Sequence, residues 1–218
     1  HISLADGSEK RVDFGLNVNV RACVKQLAAS LEMTFGIEEW SLGSKSGWLN
    51  NDLLVSDQWS MSDGPLRFRK KYFLTDSQLP AQCKERTLLF YQLRTAVVNN
   101  VVICTPAQLI KLAALAAQEQ LQDRDPGKHT RVDLRPFLPE SSWPNCEVPA
   151  LEAWNGLRGR QRGEAVFEFT ELLIKEVPTF GIYRFPVVEP GAKDKAKRDL
   201  GITSANLFRI ADNVVVEQ

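Results

Sequence analysis

The residues best suited to chemistry in this sequence are arginines and lysines, which cluster in three short stretches. The first stretch, PLRFRKKYFLTDSQL over residues 65–79, alternates basic and apolar side chains. The second is GLRGRQRG over residues 156–163, and the third is KDKAKR over residues 193–198. Guanidinium and ammonium groups are the side chains that bind phosphate oxygens. The three stretches therefore predict anion-binding sites at these positions: Lys70, Lys71, Arg158, Arg160, Arg162, Lys193, Lys195, Lys197 and Arg198.

The overall charge argues against nucleic acid as the anionic partner. The chain has 27 Lys and Arg against 27 Asp and Glu, whereas a nucleic-acid-binding domain carries a basic excess. For residues 67–71, which are predicted to lie mostly on the solvent side of a strand, two interpretations stay open. One is a membrane-facing role and the other is a charged face that protects a sheet edge. The arginines of residues 158–162 are equally open to lipid phosphates or to solvent.

Catalytic and metal-binding motifs are missing from the sequence. Its two histidines, His1 and His129, adjoin no cysteine or serine in a nucleophile motif, and no Walker, dinucleotide or H-E-x-x-H motif occurs. The cysteines form no C-x-x-C pair, which is typical of reduced core thiols. These are Cys23, Cys83, Cys104 and Cys146. The start of the chain lacks a signal peptide's apolar run. We expect a cytoplasmic protein without enzymatic activity, cofactor or metal.

The first seventy residues have the pattern of a small mixed α/β lobe. Residues 1–14 alternate around a turn at Asp6-Gly7, which predicts a hairpin. Apolar residues at helical spacing from Val20 to Leu31 predict one helix. Short strands are predicted at EEWSL, at Trp48-Leu49 and at PLRFRKKYF. A hairpin, a helix and further strands are in the order of a ubiquitin-like roll.

The middle of the chain is predicted to be helical. One helix covers residues 85–98, and a second begins at TPAQ with Thr105 as N-cap and Pro106 at the first helical position. Because the second helix is apolar on nearly all sides, we expect it to be central and buried. A third helix covers residues 163–175. The segment SSWPNCEVPALEAW before it is interpreted as a linker whose tryptophans pack in the core, with a partner groove as the alternative.

The last forty residues return to a period of two. FGIYRFPVV and LFRI predict strands on either side of a polar loop, and the final valines begin another. About three strands of a new sheet result, and so short a sheet seldom stands alone. Either more chain follows in the intact protein, or these strands pack on the preceding lobe.

Several motifs in this order resemble the head of the talin-like FERM family. LRFRKKYFLTDSQL is similar to the family's junction between first and second lobes, and LLFYQLRTAVVNN to the first helix of the second lobe. VDLRPFLP resembles its Leu-Asp-Leu-x-x-Phe-Leu-Pro signature. VPTFGIYRFPVVE and DLGITSANLFRI resemble strands that open the third lobe. The resemblance runs through essentially the whole chain.

The resemblance implies an α+β multi-lobe fold. Residues 1–74 would form a ubiquitin-like β-grasp lobe, residues 75–177 an all-helical lobe like acyl-CoA-binding protein, and residues 178–218 the first strands of a phosphotyrosine-binding or pleckstrin-like lobe. In this family the third lobe's fifth strand pairs with receptor tails. That strand would lie beyond this chain, which is expected to end inside the third lobe.

The resemblance also implies a function. A talin-like head is a cytoplasmic adaptor at the plasma membrane and cell cortex, which docks on acidic phosphoinositide lipids and on integrin-type adhesion-receptor tails and is linked to actin through other regions. The lysine-rich loop at residues 193–198 would be a lipid site, because each basic residue near an anionic membrane contributes about 1 kcal/mol. The alternative is a FERM scaffold of the myosin type, which holds cargo or an autoinhibitory segment and does not dock on lipid.

Overall fold

The structure is a computed structural model that describes residues 1–13, 15, 17–187, 198–203, 206–211 and 214–217. The chain divides into two units, His1–Gln92 and Leu93–Gln218. The three-lobe division at residues 74 and 177 stays a prediction.

The first unit is built on a five-stranded mixed sheet. Its strands are β1 (Ile2–Ser3), β2 (Glu9–Lys10), β3 (Trp40–Ser44), β4 (Gly47–Trp48) and β5 (Leu66–Lys70), and one helix, α1 (Val20–Ser30), accompanies them. The strand order is β2-β1-β5-β3-β4, with β1 and β5 parallel and the other neighbours antiparallel. The hairpin, helix and strands expected from the sequence are confirmed.

One face of this sheet and one stripe of α1 form the core of the first unit. Val20, Cys23, Val24 and Leu27 of α1 are buried against inward-facing residues of β3 and β5. Those strand residues are Trp40, Leu42, Leu66 and Phe68. Trp40 stacks on Phe68 with ring centroids 5.0 Å apart. The side chain of Asn19 accepts the backbone N–H of Ala22 and so satisfies one of the free donors at the start of α1.

Four helices occupy the middle of the chain: α2 (Lys84–Val98), α3 (Pro106–Leu121), α4 (Trp143–Asn155) and α5 (Arg162–Glu176). Helix α3 packs on both α4 and α5 and is buried on most sides from Leu109 onward. It begins as predicted, because Thr105 and Gln108 form a reciprocal capping box and Pro106 opens the first turn. The expected central helix is therefore confirmed.

Helix α4 corrects the prediction of a linker around SSWPNCEVPALEAW. Pro144 lies in its first turn, where the N–H that proline lacks has no intrahelical partner in any case. The helix also continues through Pro149. It is anchored by Trp154, which is fully buried and donates its indole N–H to the carbonyl of Gln122 at 2.8 Å. The expected core packing is confirmed for Trp154.

The second unit ends in a four-stranded antiparallel sheet, one strand more than predicted. Its strands lie in chain order: β6 (Tyr183–Pro186), β7 (Arg198–Ile202), β8 (Leu207–Ala211) and β9 (Val214–Glu217). Gly201 of β7 leaves room for two isoleucines, since a Cβ there would lie 2.5 Å from the δ-methyl of Ile182 and 2.9 Å from that of Ile210. The sheet's small core contacts Ile103 of the segment between α2 and α3.

Candidate functional site

The first basic stretch separates into buried and exposed cations. Lys70 was predicted on the solvent side as a lipid contact, and this prediction is wrong. The side chains of Lys70, Glu39 and Asp76 have exposures of only 0%, 3% and 3%. The Lys70 ammonium lies 2.8 Å from Glu39 Oε2 and 3.1 Å from Asp76 Oδ1. A charge enclosed in this way serves the fold and not a surface.

The two buried carboxyls respond differently to this environment. Burial raises the pKa of Asp76, Lys70 offsets part of that rise, and the negative charge of Glu39 adds to it. Burial acts in the same direction on Glu39, but hydrogen bonds from Lys70, Thr75 and the Leu74 backbone together leave the pKa of Glu39 below its usual value. Lys70 thus pairs with two carboxyls whose pKa values are shifted in opposite directions, lowered for Glu39 and raised for Asp76.

Helix α2 and the segment after β5 are fastened around this cluster. The side-chain amide of Gln92 accepts the backbone N–H of Lys70 at 2.8 Å and donates to its carbonyl at 2.7 Å. The backbone N–H groups of Lys71 and Tyr72 both donate to the Glu39 carbonyl, at 2.7 and 3.0 Å. The conformation of the segment after β5 is therefore fixed by the same residues that bury Lys70.

The remaining cations of the first stretch share the outer face of the sheet, the face opposite the core. Arg67 and Arg69 alternate with the buried residues of β5. Lys71 places its ammonium 5.9 Å from the ring of Trp48 and 5.2 Å from the ring of Tyr72. Both rings are more than two-fifths exposed. We name these five residues, Trp48, Arg67, Arg69, Lys71 and Tyr72, the outer basic face.

The arginines of the second stretch lie in the turn between α4 and α5. Arg158 is exposed, and Arg162 is exposed as the first residue of α5. Arg160 is half-buried and pairs with Glu168 of α5. Its carbonyl also accepts a hydrogen bond from Gln118 at 2.8 Å. The structure therefore leaves Arg158 and Arg162 available for an anion and employs Arg160 in holding the turn to the helices.

The third stretch falls mostly outside the described residues. Lys193, Lys195 and Lys197 lie there, so their predicted role stays a prediction. Arg198 was predicted in the loop, and this is wrong: it begins β7, pairs across the ladder with Ala211 and is half-buried.

The groups most able to act as nucleophiles are poorly suited to it. Burial raises the pKa of the Cys23 thiol to about 11 and that of Cys104 to about 12, which leaves both protonated at neutral pH. Burial raises the pKa values of Cys83 and Cys146 as well. Among the described residues, no group of three or more His, Cys, Asp or Glu side chains could hold a metal ion.

His129 has a role that the sequence did not suggest. Its ring lies 4.9 Å from the ring of Trp154 and is half-buried. Its Nδ1 accepts the backbone N–H of Asp125 at 3.0 Å. The histidine closes the loop after α3 against α4, and only the fold brings it to Trp154, 25 positions further along the chain.

None of the described helices is both long enough and apolar enough to cross a bilayer.

Comparison with known proteins identifies the class of fold. The model of the FERM central domain matches residues 75–185, slightly more than half of the chain, and the chain therefore belongs to the FERM family. The FERM and C-terminal domain complex of Drosophila Merlin has a similar fold, with a TM-score of 0.74 at 18% identity over 99% of this chain and 78% of that chain. The MyTH4-FERM domain of human Myosin 7b, solved with the harmonin-a PDZ3 domain, gives 0.73 at 17% identity over 99% of this chain and 50% of that one.

Within this family the chain is a talin-like FERM domain. It is 29% identical over 175 residues to Talin of Oscarella pearsei, a match that covers 75% of this chain and 7% of that protein. It is 28% identical over 200 residues to Talin-A of Dictyostelium discoideum, covering 85% of this chain and 15% of that sequence. The chain thus spans only a small part of the relatives that it matches.

Proposed function

We propose that this chain is the membrane-docking head of an adaptor that links acidic inner-leaflet lipid and adhesion-receptor tails to the actin cytoskeleton. Membership of the talin-like FERM family is the observation that carries the proposal. The exposed cations Arg67, Arg158 and Arg162 support it, because guanidinium groups bind the phosphate oxygens of anionic lipids. Actin linkage would lie in regions outside this chain.

The proposed mechanism is multivalent. Each basic residue near an anionic membrane contributes about 1 kcal/mol, so a single short cluster gives weak, salt-sensitive binding. Weak lipid contacts would raise the effective concentration of a receptor tail already in the membrane, and the two interactions together would give useful affinity. The exposed Arg158 and Arg162 and the lysines at 193, 195 and 197 are the proposed lipid contacts in the second unit.

Co-sedimentation with phosphoinositide-containing vesicles at low and moderate salt tests the proposal. The test variant changes Lys193, Lys195 and Lys197 to Glu. Arg198 is left unchanged because it belongs to β7. The matched control changes three exposed lysines elsewhere, Lys25, Lys84 and Lys111, to Glu. We expect salt-sensitive binding that the test variant loses and the control keeps, whereas a folded wild-type protein that does not bind would refute membrane docking.

One observation favours a second candidate, a scaffold that holds a protein segment. A cavity of about 400 Å³ lies between α3, α4 and α5, and both apolar and charged residues line it. The apolar residues include Leu115, Leu157 and Leu172. An amphipathic helix could dock there with its apolar face on these leucines. Changing Leu157 or Leu172 to Glu would then abolish protein binding and leave vesicle binding unchanged.

A further inference from the structure

The outer basic face concentrates aromatic and cationic side chains on one side of a sheet. Trp48 lies on the edge strand β4, opposite Gly43 of β3, and Gly43 in turn pairs with Arg67 of β5. A side chain at Gly43 would begin 3.6 Å from Cε3 of Trp48, so the indole lies across the space that the glycine leaves free. The ladder thus brings Trp48 and Arg67 to the same face.

The positive charges of this face are not neutralised by partners in the part of the chain that the structure describes. Arg67 donates to the carbonyl of Ser44, and Arg69 to those of Ser3 and Phe68. Among the residues that the structure describes, no carboxylate lies within ion-pair distance of Arg67, Arg69 or Lys71. Burial and the charge of Arg67 lower the pKa of Arg69. The negative charge of Asp6, which acts at longer range, offsets part of this lowering. The face therefore presents a net positive field.

The backbone at Tyr72, one of the two aromatic residues of the face, is held in place before any partner arrives. Tyr72 belongs to the segment whose backbone N–H groups donate to Glu39, and Leu74 in that segment donates to Glu39 Oε2 at 3.1 Å. Leu74 is 69% exposed. Because the segment is already ordered, little conformational entropy remains to be lost on binding. An exposed side chain on a backbone that is fixed in this way is suited to a binding surface.

We propose that the outer basic face is a second membrane-contact surface, which inserts Trp48 and Tyr72 at the headgroup level of an anionic lipid leaflet. Tryptophan and tyrosine are the residues enriched at membrane–water interfaces, because one end of the ring is apolar and the other polar. Arg67 and Lys71 flank them and would attract anionic headgroups. Extended peptides that bind a sheet add to its edge, whereas Trp48 and Arg67 lie on its face. The inference deepens the proposed membrane docking and rests on it.

Trp48 provides a direct probe of this contact. All five tryptophans lie in the described part of the chain, and Trp48 is the one that is exposed: Trp40 and Trp154 are buried, and Trp59 and Trp143 are half-buried. Vesicles of phosphatidylcholine and phosphatidylserine whose acyl chains carry bromine should quench its fluorescence on binding. The variant Trp48→Phe should bind with most of this quenching removed.

Charge reversal supplies the second readout. Arg67→Glu with Lys71→Glu should weaken binding to these vesicles at least about tenfold, since about 1 kcal/mol is lost for each basic residue. The control Lys25→Glu with Lys84→Glu carries the same charge change away from the face and should bind like the unaltered chain. None of these three proteins should bind well to vesicles of phosphatidylcholine alone.

The outcomes separate this inference from the proposed function. If the variant of Lys193, Lys195 and Lys197 loses binding while the face variant keeps it, the outer basic face is not a lipid contact and membrane docking still stands. If the wild-type protein binds no vesicles, both proposals fail. Binding of a polyglutamate peptide at the face without quenching by brominated lipid would instead identify an acidic protein as its partner and overturn the inference.

Discussion

Neighbouring lysines in one short stretch have opposite roles, as Lys70 and Lys71 show. Strand alternation alone places Lys70 on the same side as Leu66 and Phe68, so its inward direction could have been predicted from the sequence. Its partners could not, because Glu39 and Asp76 are brought to it only by the pairing of β3 with β5 and by the segment after β5. A run of basic residues reports charge, and only the fold decides which charges face solvent.

Lys70→Met should strongly destabilise the first unit. The change leaves Glu39 and Asp76 buried without their cation, and breaking a buried pair in this way costs about 3–5 kcal/mol. Urea unfolding followed by tryptophan fluorescence measures the free energy of unfolding. The neighbouring Lys71→Met removes a more exposed ammonium and should change it by less than about 0.5 kcal/mol. Equal effects of the two changes would show that the buried pairs do not matter to stability.

Asp76→Asn should alter how stability depends on pH. Because burial raises the pKa of Asp76, the folded chain binds its proton more tightly than the unfolded chain, and this carboxyl costs stability as pH rises through the folded pKa. The lowered pKa of Glu39 has the opposite sign: its contribution is present above the unfolded pKa and is lost as pH falls through the folded one.

We therefore expect the Asp76→Asn variant to become more stable relative to the wild type as the pH rises from acid to neutral. The quantity compared is the free energy of unfolding of each protein. Urea titrations across that range measure it. If the stability difference between the two proteins stays constant with pH, or if the wild type gains relative stability as pH rises, the pKa of Asp76 is not raised in the folded chain.

At the scale of elements, the helices and strands with clear end signals were predicted well. Helix α3 has a capping box and an initial proline, and both work as the sequence indicates. Helix α4 was missed because its segment was interpreted as a linker. Pro144 lies in the first turn of the helix, and the helix continues past Pro149. Local sequence signals predict where a helix begins. Packing through residues such as Trp154 decides whether the helix continues past an unfavourable residue such as Pro149.

Gln92→Ala tests the attachment of helix α2 to strand β5. Both backbone groups of Lys70 lose their side-chain partner in this variant, and groups left unpaired away from water cost about 1–3 kcal/mol. Gln26→Ala on α1 removes only a 3.5 Å contact at the surface and serves as the control. Hydrogen exchange of the Lys70 amide should quicken in the first variant alone. Unchanged protection there would mean that Gln92 does not hold the strand end.

At the scale of the whole molecule, the order of weak motifs identified the family when no single motif did. The match of the FERM central domain to residues 75–185 confirms that inference. The proposed binding surface was less predictable, because the outer basic face combines β4, β5 and the segment after it. Trp48 joins Lys71 through a strand pairing that no local pattern contains.

The two proposed lipid contacts allow a test of how the whole chain engages a membrane. If the outer basic face and the lysines at 193, 195 and 197 contact one vesicle at the same time, each contact raises the effective concentration of the other. Either charge-reversed variant alone should then lose at least about tenfold in affinity, and their free-energy losses should add when combined. If only one of the two surfaces contacts a vesicle at a time, each variant alone should lose only about half of the binding. The protein that carries both sets of changes should then not bind. Vesicle titrations of the four proteins distinguish the two cases, and we expect the first, because the short clusters are individually too weak to hold the chain on a membrane at moderate salt.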